Sequence, residues 1–248
     1  LNGGTLKAGV ASVANVSGAF GNNSAVTLAN AANTNLDITG FNTQIGSLTG
    51  GGASGGNVTL GAATLTVGGD NTSPAAYGGA IPGTGGVTKI GTGTQIFSGA
   101  NTYTGATTVN AGTLKNGSAT TFNSNGALTL AGTGVFDLNG FNAGFTNVSG
   151  AVNTATITNN AAGAGTSTLA IGAQASTVSA LILDGANRKV AVTLKNINGS
   201  IDPFLLTGAN TFSGGLTLLH TASGSRLRIT GLVTTVGAPG AIISSPFG

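Results

Sequence analysis

Gly85 to Leu114, GGVTKIGTGTQIFSGANTYTGATTVNAGTL, is the stretch whose reading decides the fold. Val87, Phe97, Val109 and Leu114 supply apolar contacts, and Gly91, Gly93, Gly99, Gly105 and Gly112 punctuate them. The order is strand, glycine turn, strand, polar turn, strand. The stretch also recurs. Ser98 to Gly105 (SGANTYTG) returns as Thr207 to Gly214 (TGANTFSG), 109 residues on, and the opening LNGGTL copies the closing NAGTL. A second pair joins Ala25–Gly50 to Ala127–Gly150 at an offset of about 100, aligning Asp37 with Asp137, Phe41 with Phe141 and Leu48 with Val148. Short strands with alternating apolar residues cannot bury them alone, but stacked rungs lay like over like in one continuous core. The offsets therefore predict super-repeats of about 100–110 residues, each of five rungs of roughly 20 residues.

The 85–114 stretch resembles the passenger-associated repeat of bacterial autotransporters and related giant surface proteins, whose consensus is close to KxGxGTLTLSGANTYTGGTTVNAGTL. The likeness is nearly residue for residue over Lys89–Leu114, and a degraded copy covers Leu206–Leu218. Gln95 departs from it, standing where the family carries an apolar residue. The resemblance implies a right-handed parallel β-helix, secreted and displayed on a cell surface. It implies no single activity, since passengers include adhesins, proteases, lipases and plain stalks.

Composition agrees with an all-β chain. Charged residues are 5% of 248, Gly is 45, and Glu, Met, Trp and Cys are absent. Straight-chain helix formers are scarce apart from Ala and Leu, while Thr and Val in short runs favour strands. Zero Cys excludes a disulfide framework. Asn-Gly occurs at five places, including Asn139-Gly140 and Asn198-Gly199. In isolation it signals a hairpin, which keeps an antiparallel sandwich as the alternative; in a solenoid it supplies left-handed backbone at a corner. The chain divides into a first module at about 1–114, a second at about 115–219 and a partial third at 220–248, within one continuous solenoid. Val10–Phe20 reads as a weak strand pair and Asp70–Gly86 as the longest loop.

Chemistry-bearing residues are few. Asp37 and Asp137 are carboxylates at equivalent repeat positions, but five rungs would put them roughly 24 Å apart, too far to flank one glycosidic bond. Each is expected to bond its own corner turn. Asn101 and Asn210, both in GANT(Y/F), are expected to hold turn backbone in the same way. His220 has no GxSxG elbow beside it, and one His without Cys makes no zinc site. Gly68-Gly69-Asp70 lacks the iteration of a calcium repeat, and GTGTQIFSG has no phosphate-loop ending. No catalytic residue, metal or cofactor is expected. The net charge of +3 comes from scattered cations, with only Arg226 and Arg228 alternating on one strand face, so nucleic acid is not an expected partner. No apolar run is long enough to insert in a membrane.

The expected function is a non-catalytic structural stalk or fibre segment of a secreted or surface-displayed bacterial repeat protein. An adhesin passenger binding an extracellular glycan or protein is the alternative, and a polysaccharide-active enzyme comes third. The expected partner is the chain itself, through end-to-end stacking, lateral association or covalent continuation into further repeats. Neither end carries the polar cap that solenoids use to shield apolar core and strand edge.

Overall fold

The computed structural model describes residues 1–21, 23–122, 126–151, 153–172, 177–196, 204–220 and 229–230. Over these the chain winds into an all-β parallel solenoid of about eight turns, with rungs of about 22 residues and no helix. At the usual spacing between strands, eight turns make a rod of roughly 38 Å. The rung is longer than the 20 residues the repeats suggested, because corners absorb extra residues outside the strands.

Each turn crosses three faces in order. The first stacks Val26–Leu28, Leu48–Gly50, Tyr77, Thr94–Phe97, Thr113–Asn116, Val135–Asp137, Thr156–Thr158 and Leu181–Ile182. The second begins with Thr5–Lys7, Asn35–Asp37 and Asn57–Thr59, and ends with Ala143–Phe145, Gly165–Ile171, Arg188–Asn196 and Leu216–His220. Between those groups it is carried by Ile81 and Thr102, joined through backbone bonds, and by Phe122 beneath Gly144. The third runs through Thr43–Gln44, Leu65–Val67, Val87–Lys89, Thr107–Val109, Ala127–Leu130 and Asn147–Gly150. Thr177–Val178, Phe204–Leu206 and Ile229–Thr230 continue it.

Every pairing between these strands is parallel, which removes the antiparallel sandwich. Asn139-Gly140 is a corner, with φ of 47° and 86°. A Cβ on Gly85 would overlap the Ala63 carbonyl oxygen one rung below, so that corner admits no side chain. Val10–Phe20 contributes one antiparallel bridge, Val13 to Ser17. The 68–86 stretch holds no strand, yet it stays on the rod: Ser73 Oγ accepts from Thr94 N at 2.9 Å and Tyr77 bridges both neighbours.

Inside, Val87, Phe97, Val109 and Leu114 are all fully buried. Tyr77, Phe97, Phe122, Phe136 and Phe145 form a column of rings with centroids 5.2–6.5 Å apart. Such contacts tie each rung to the next through dispersion as well as hydrophobic burial.

The repeats and the turns are out of phase. From Leu6 the second face climbs through Leu36, Val58, Ile81 and Thr102, four full turns, but Leu114, the repeat equivalent of Leu6, lies two faces further on, on the first face. Asp37 is on the second face and Asp137 on the first. Asn101 holds a rung of the second face, Asn210 one of the first. All three pairs are separated by four and two-thirds turns, so each copy is turned back by one face relative to the last.

Candidate functional site

Asparagine is the residue that fastens rung to rung. Ile81 N donates to Asn101 Oδ1 at 3.1 Å, and Ile182 N donates to Asn210 Oδ1 at 2.8 Å. The same bond joins Thr64 to Asn42, Ala80 to Asn57, Thr92 to Asn71, Gly140 to Asn159 and Thr168 to Asn142. Corners interrupt the strand ladder and leave N–H groups without a backbone acceptor. A short amide side chain supplies one from the adjacent rung. Asn101 is buried at 2% exposure beside Tyr103, whose hydroxyl meets Thr107 Oγ1 at 2.7 Å; Asn210 is half-exposed.

Asp37 and Asp137 occupy the same local setting on different faces. Asp37 Oδ1 accepts from Thr39 N and Asp137 Oδ1 from Asn139 N, each at 2.9 Å. Each carboxylate stands in register above a lysine of the rung below, Lys7 at 3.5 Å and Lys115 at 3.7 Å. Asp137 Oδ1 also accepts from Asn160 N at 2.9 Å. The bonds from Thr39, with Lys7 adding to them, hold the Asp37 carboxyl below its ordinary range. Along the axis the two carboxylates are roughly 22 Å apart at the usual strand spacing, and they face different ways. They do not converge on one substrate.

Three further polar residues do similar work, of which the sequence marked only Gln95, and that only as a departure from the family pattern. Asp184 accepts from Val190 N at 2.7 Å, from Ser213 N at 3.0 Å and from Ser213 Oγ at 2.6 Å. Gln95 points inward at 1% exposure and bonds Leu48 two rungs below, accepting from its N at 3.1 Å and donating to its O at 2.9 Å. The intervening rung offers Tyr77 instead of a full strand on that face, so the Leu48 peptide groups meet no ladder partner there. The amide fills that gap, which is why a polar residue replaces the apolar one of the family pattern. Lys89 is fully buried, and its ammonium donates to the carbonyls of Ile90 and Gly91 at a corner. Burial pushes its pKa down to about 8, with Asp70 pulling the other way. Burial likewise raises Asp70, but bonds from Ser47 and Thr72 outweigh it and leave that carboxyl below the ordinary range. The signal for Lys89 was in the repeat itself, whose lysine sits two residues before a corner glycine.

Among the described residues no three of His, Cys, Asp and Glu gather to hold a metal ion. His220 ends the strand Leu216–His220, and Arg226 and Arg228 lie outside the described residues. Carboxylates and amides here are consumed in holding backbone.

The passenger-associated-transport-repeat family matches residues 87–115 and 204–219. The chain is 50% identical over 93 residues to the adhesin BmaC autotransporter of Brucella suis biovar 1 (strain 1330). That match covers 38% of this chain and 2% of the adhesin. No solved structure matches the chain. The chain thus carries passenger-associated-transport repeats and shares homology with an autotransporter adhesin, a setting that implies a secreted or surface-displayed protein.

Proposed function

We propose that this autotransporter passenger segment is a non-catalytic stalk, a rigid spacer that holds other parts of a longer surface protein away from a bacterial cell. The observation that carries this reading is where the polar chemistry goes. Asp37, Asp137 and Asp184 accept backbone or hydroxyl protons at corners, and the asparagines bind one rung to the next. Catalytic carboxylates need a shared substrate between them, and these are spent on stiffness. Cohesion between nearest rungs lets length be added by repetition, which is what a spacer needs.

The proposed partner is further solenoid of the same kind, from the same polypeptide or a second copy. Rungs cohere with their nearest neighbours through parallel in-register pairing, as Leu114 does between Gln95 and Phe136, so another rung of the same kind is the surface a rung fits best. An adhesin is the second reading, favoured by the name of the Brucella relative.

A turnover panel tests the stalk. The chain is incubated with neutral and acidic polysaccharides and with peptide substrates, and reducing ends and free amines are followed. No turnover is expected. Hydrolysis abolished by Asp37→Asn, Asp137→Asn or Asp184→Asn would replace the stalk with an enzyme.

A further inference from the structure

One depression on the rod has an internal control. On the second face, Gly144, Ala170 and Thr193 form a column of outward positions on successive rungs, and Lys195 lies two residues beyond Thr193. The repeat equivalents in the first module are Gln44, Thr66 and Thr88, a column of the third face, with Ile90 two residues beyond Thr88. In the first module the column is filled. Gln44 is 4% exposed; its Nε2 donates to Asn15 Oδ1 at 3.2 Å and its backbone N to Ser12 Oγ at 2.9 Å. In the second module the floor has shrunk from Gln and Thr to Gly and Ala, and a cation has replaced Ile at the rim. What remains is a cavity of about 280 Å³ lined by Phe122, Asn142, Thr168, Thr193 and Lys195, among others.

We infer that this cavity is a binding site for an acidic sugar residue, best filled by one that carries an N-acyl group. The first module shows that amide groups fill the equivalent space, since Gln44 and Asn15 do so there. Lys195 meets no carboxylate within ion-pair distance among the described residues, so it is available to a ligand anion. Asn142 Oδ1 is taken by Thr168 N at 2.8 Å, which leaves its NH₂ as donor; Thr168 and Thr193 add hydroxyls. Ala119 and Ala170 supply a small apolar patch for a sugar face, backed by the buried ring of Phe122. The site goes beyond the stalk reading and does not depend on it.

Titration of the chain by NMR, following the amides of Thr168 and Thr193, tests the inference with three probes: N-acetylneuraminic acid, glucuronic acid and N-acetylglucosamine. Saturable shifts are expected, strongest for N-acetylneuraminic acid, then glucuronic acid, with the neutral sugar weakest. Lys195→Gln should weaken both acids at least tenfold and leave the neutral sugar unchanged. Gly144→Gln, which restores the first-module residue, should abolish binding of all three. Lys195 lies on the rim, so its variant keeps the test decisive even if Gln at 144 disturbs the fold. Absence of saturable shifts with either acid up to about 20 mM, above the millimolar range expected of a single sugar, would overturn the inference. So would acid binding that both variants leave intact, or a preference for the neutral sugar.

Discussion

The corner at Asn101 and the corner at Asn210 carry one motif and make one bond, yet they stand in different places. Each side-chain oxygen accepts the N–H of an isoleucine in the rung below. Asn101 does so inside the rod with Tyr103 buried beside it, whereas Asn210 and Phe212 are only half-buried. The first belongs to the second face and the second to the first face. A repeat therefore transmits its local hydrogen bond faithfully but not its orientation or its depth. Local geometry needs only the neighbouring rung, while orientation accumulates the length of every corner in between.

The largest expected effect exploits the position where the copies differ most. Gln95 aligns with Phe204, and Phe is closer to the family pattern. Gln95→Phe should nevertheless destabilise, by about 2–5 kcal/mol, because it strips both Leu48 peptide groups of their partner in a dry interior. A denaturant midpoint equal to or above that of the parent would mean that water or a backbone shift satisfies Leu48.

Burial separates the two asparagines next. Asn101→Ala should cost about 1–3 kcal/mol, since it leaves Ile81 N buried without an acceptor. Asn210→Ala should cost about 1 kcal/mol or less, because water reaches a half-exposed corner. Equal losses in parallel melts would show that depth does not matter and that the bond itself sets the penalty.

The lysine–aspartate pairs give a smaller contrast of the same kind. Side-chain exposures are 64% and 18% for Lys7 and Asp37, against 26% and 5% for Lys115 and Asp137. Asp137→Ala, which also frees the N–H groups of Asn139 and Asn160, should cost about 1–3 kcal/mol. Asp37→Ala should cost about 0.5 kcal/mol, chiefly the lost Thr39 bond, with only the Lys7 share removed by added salt. A loss at Asp37 as large as that at Asp137 would contradict the exposed-pair assignment.

An effect of similarly small size, a pH dependence, belongs to the first copy. Lys89 has its folded pKa lowered to about 8 from 10.5. Above pH 8 the unfolded chain holds the extra proton, so stability should rise with pH from 8 to about 10. Beyond that Tyr77 and Tyr103, whose pKa values burial raises, ionise first in the unfolded chain and turn the slope down. The gain should be on the order of 1 kcal/mol, because corner carbonyls still stabilise the charged form. Lys89→Met should remove the slope. A parent melting temperature flat or falling over that window would mean that Lys89 stays charged at no cost.

Much of this was legible because repetition leaves a mark in sequence. SGANTYTG and TGANTFSG announced a solenoid, and alternation in TQIF and TTV announced which side chains face inward. Asp37 and Asp137, and Asn101 and Asn210, could be singled out by alignment of the chain with itself. Gln95 could be recognised as a departure but not explained, since its partner Leu48 lies 47 residues away and is exposed to it only because the rung of Tyr77 lacks a strand on that face. Lys89 could be placed just before a corner glycine, but only the closed corner shows that it is buried.

Composition and period by themselves determined an all-β stack of rungs with apolar residues inside and glycine and asparagine at the corners, because strand alternation and turn chemistry act within a few residues. Only the tertiary structure decided the phase. A rung lengthens by a residue at one corner and by several at another, as between Lys7 and Asp37, which stand in register 30 residues apart, and Lys115 and Asp137, 22 apart. The sum of such lengths fixed four and two-thirds turns per repeat, and with it the face on which each copy of a residue emerges. That sum is enforced by stacking contacts between residues distant in the chain, so no local pattern encodes it.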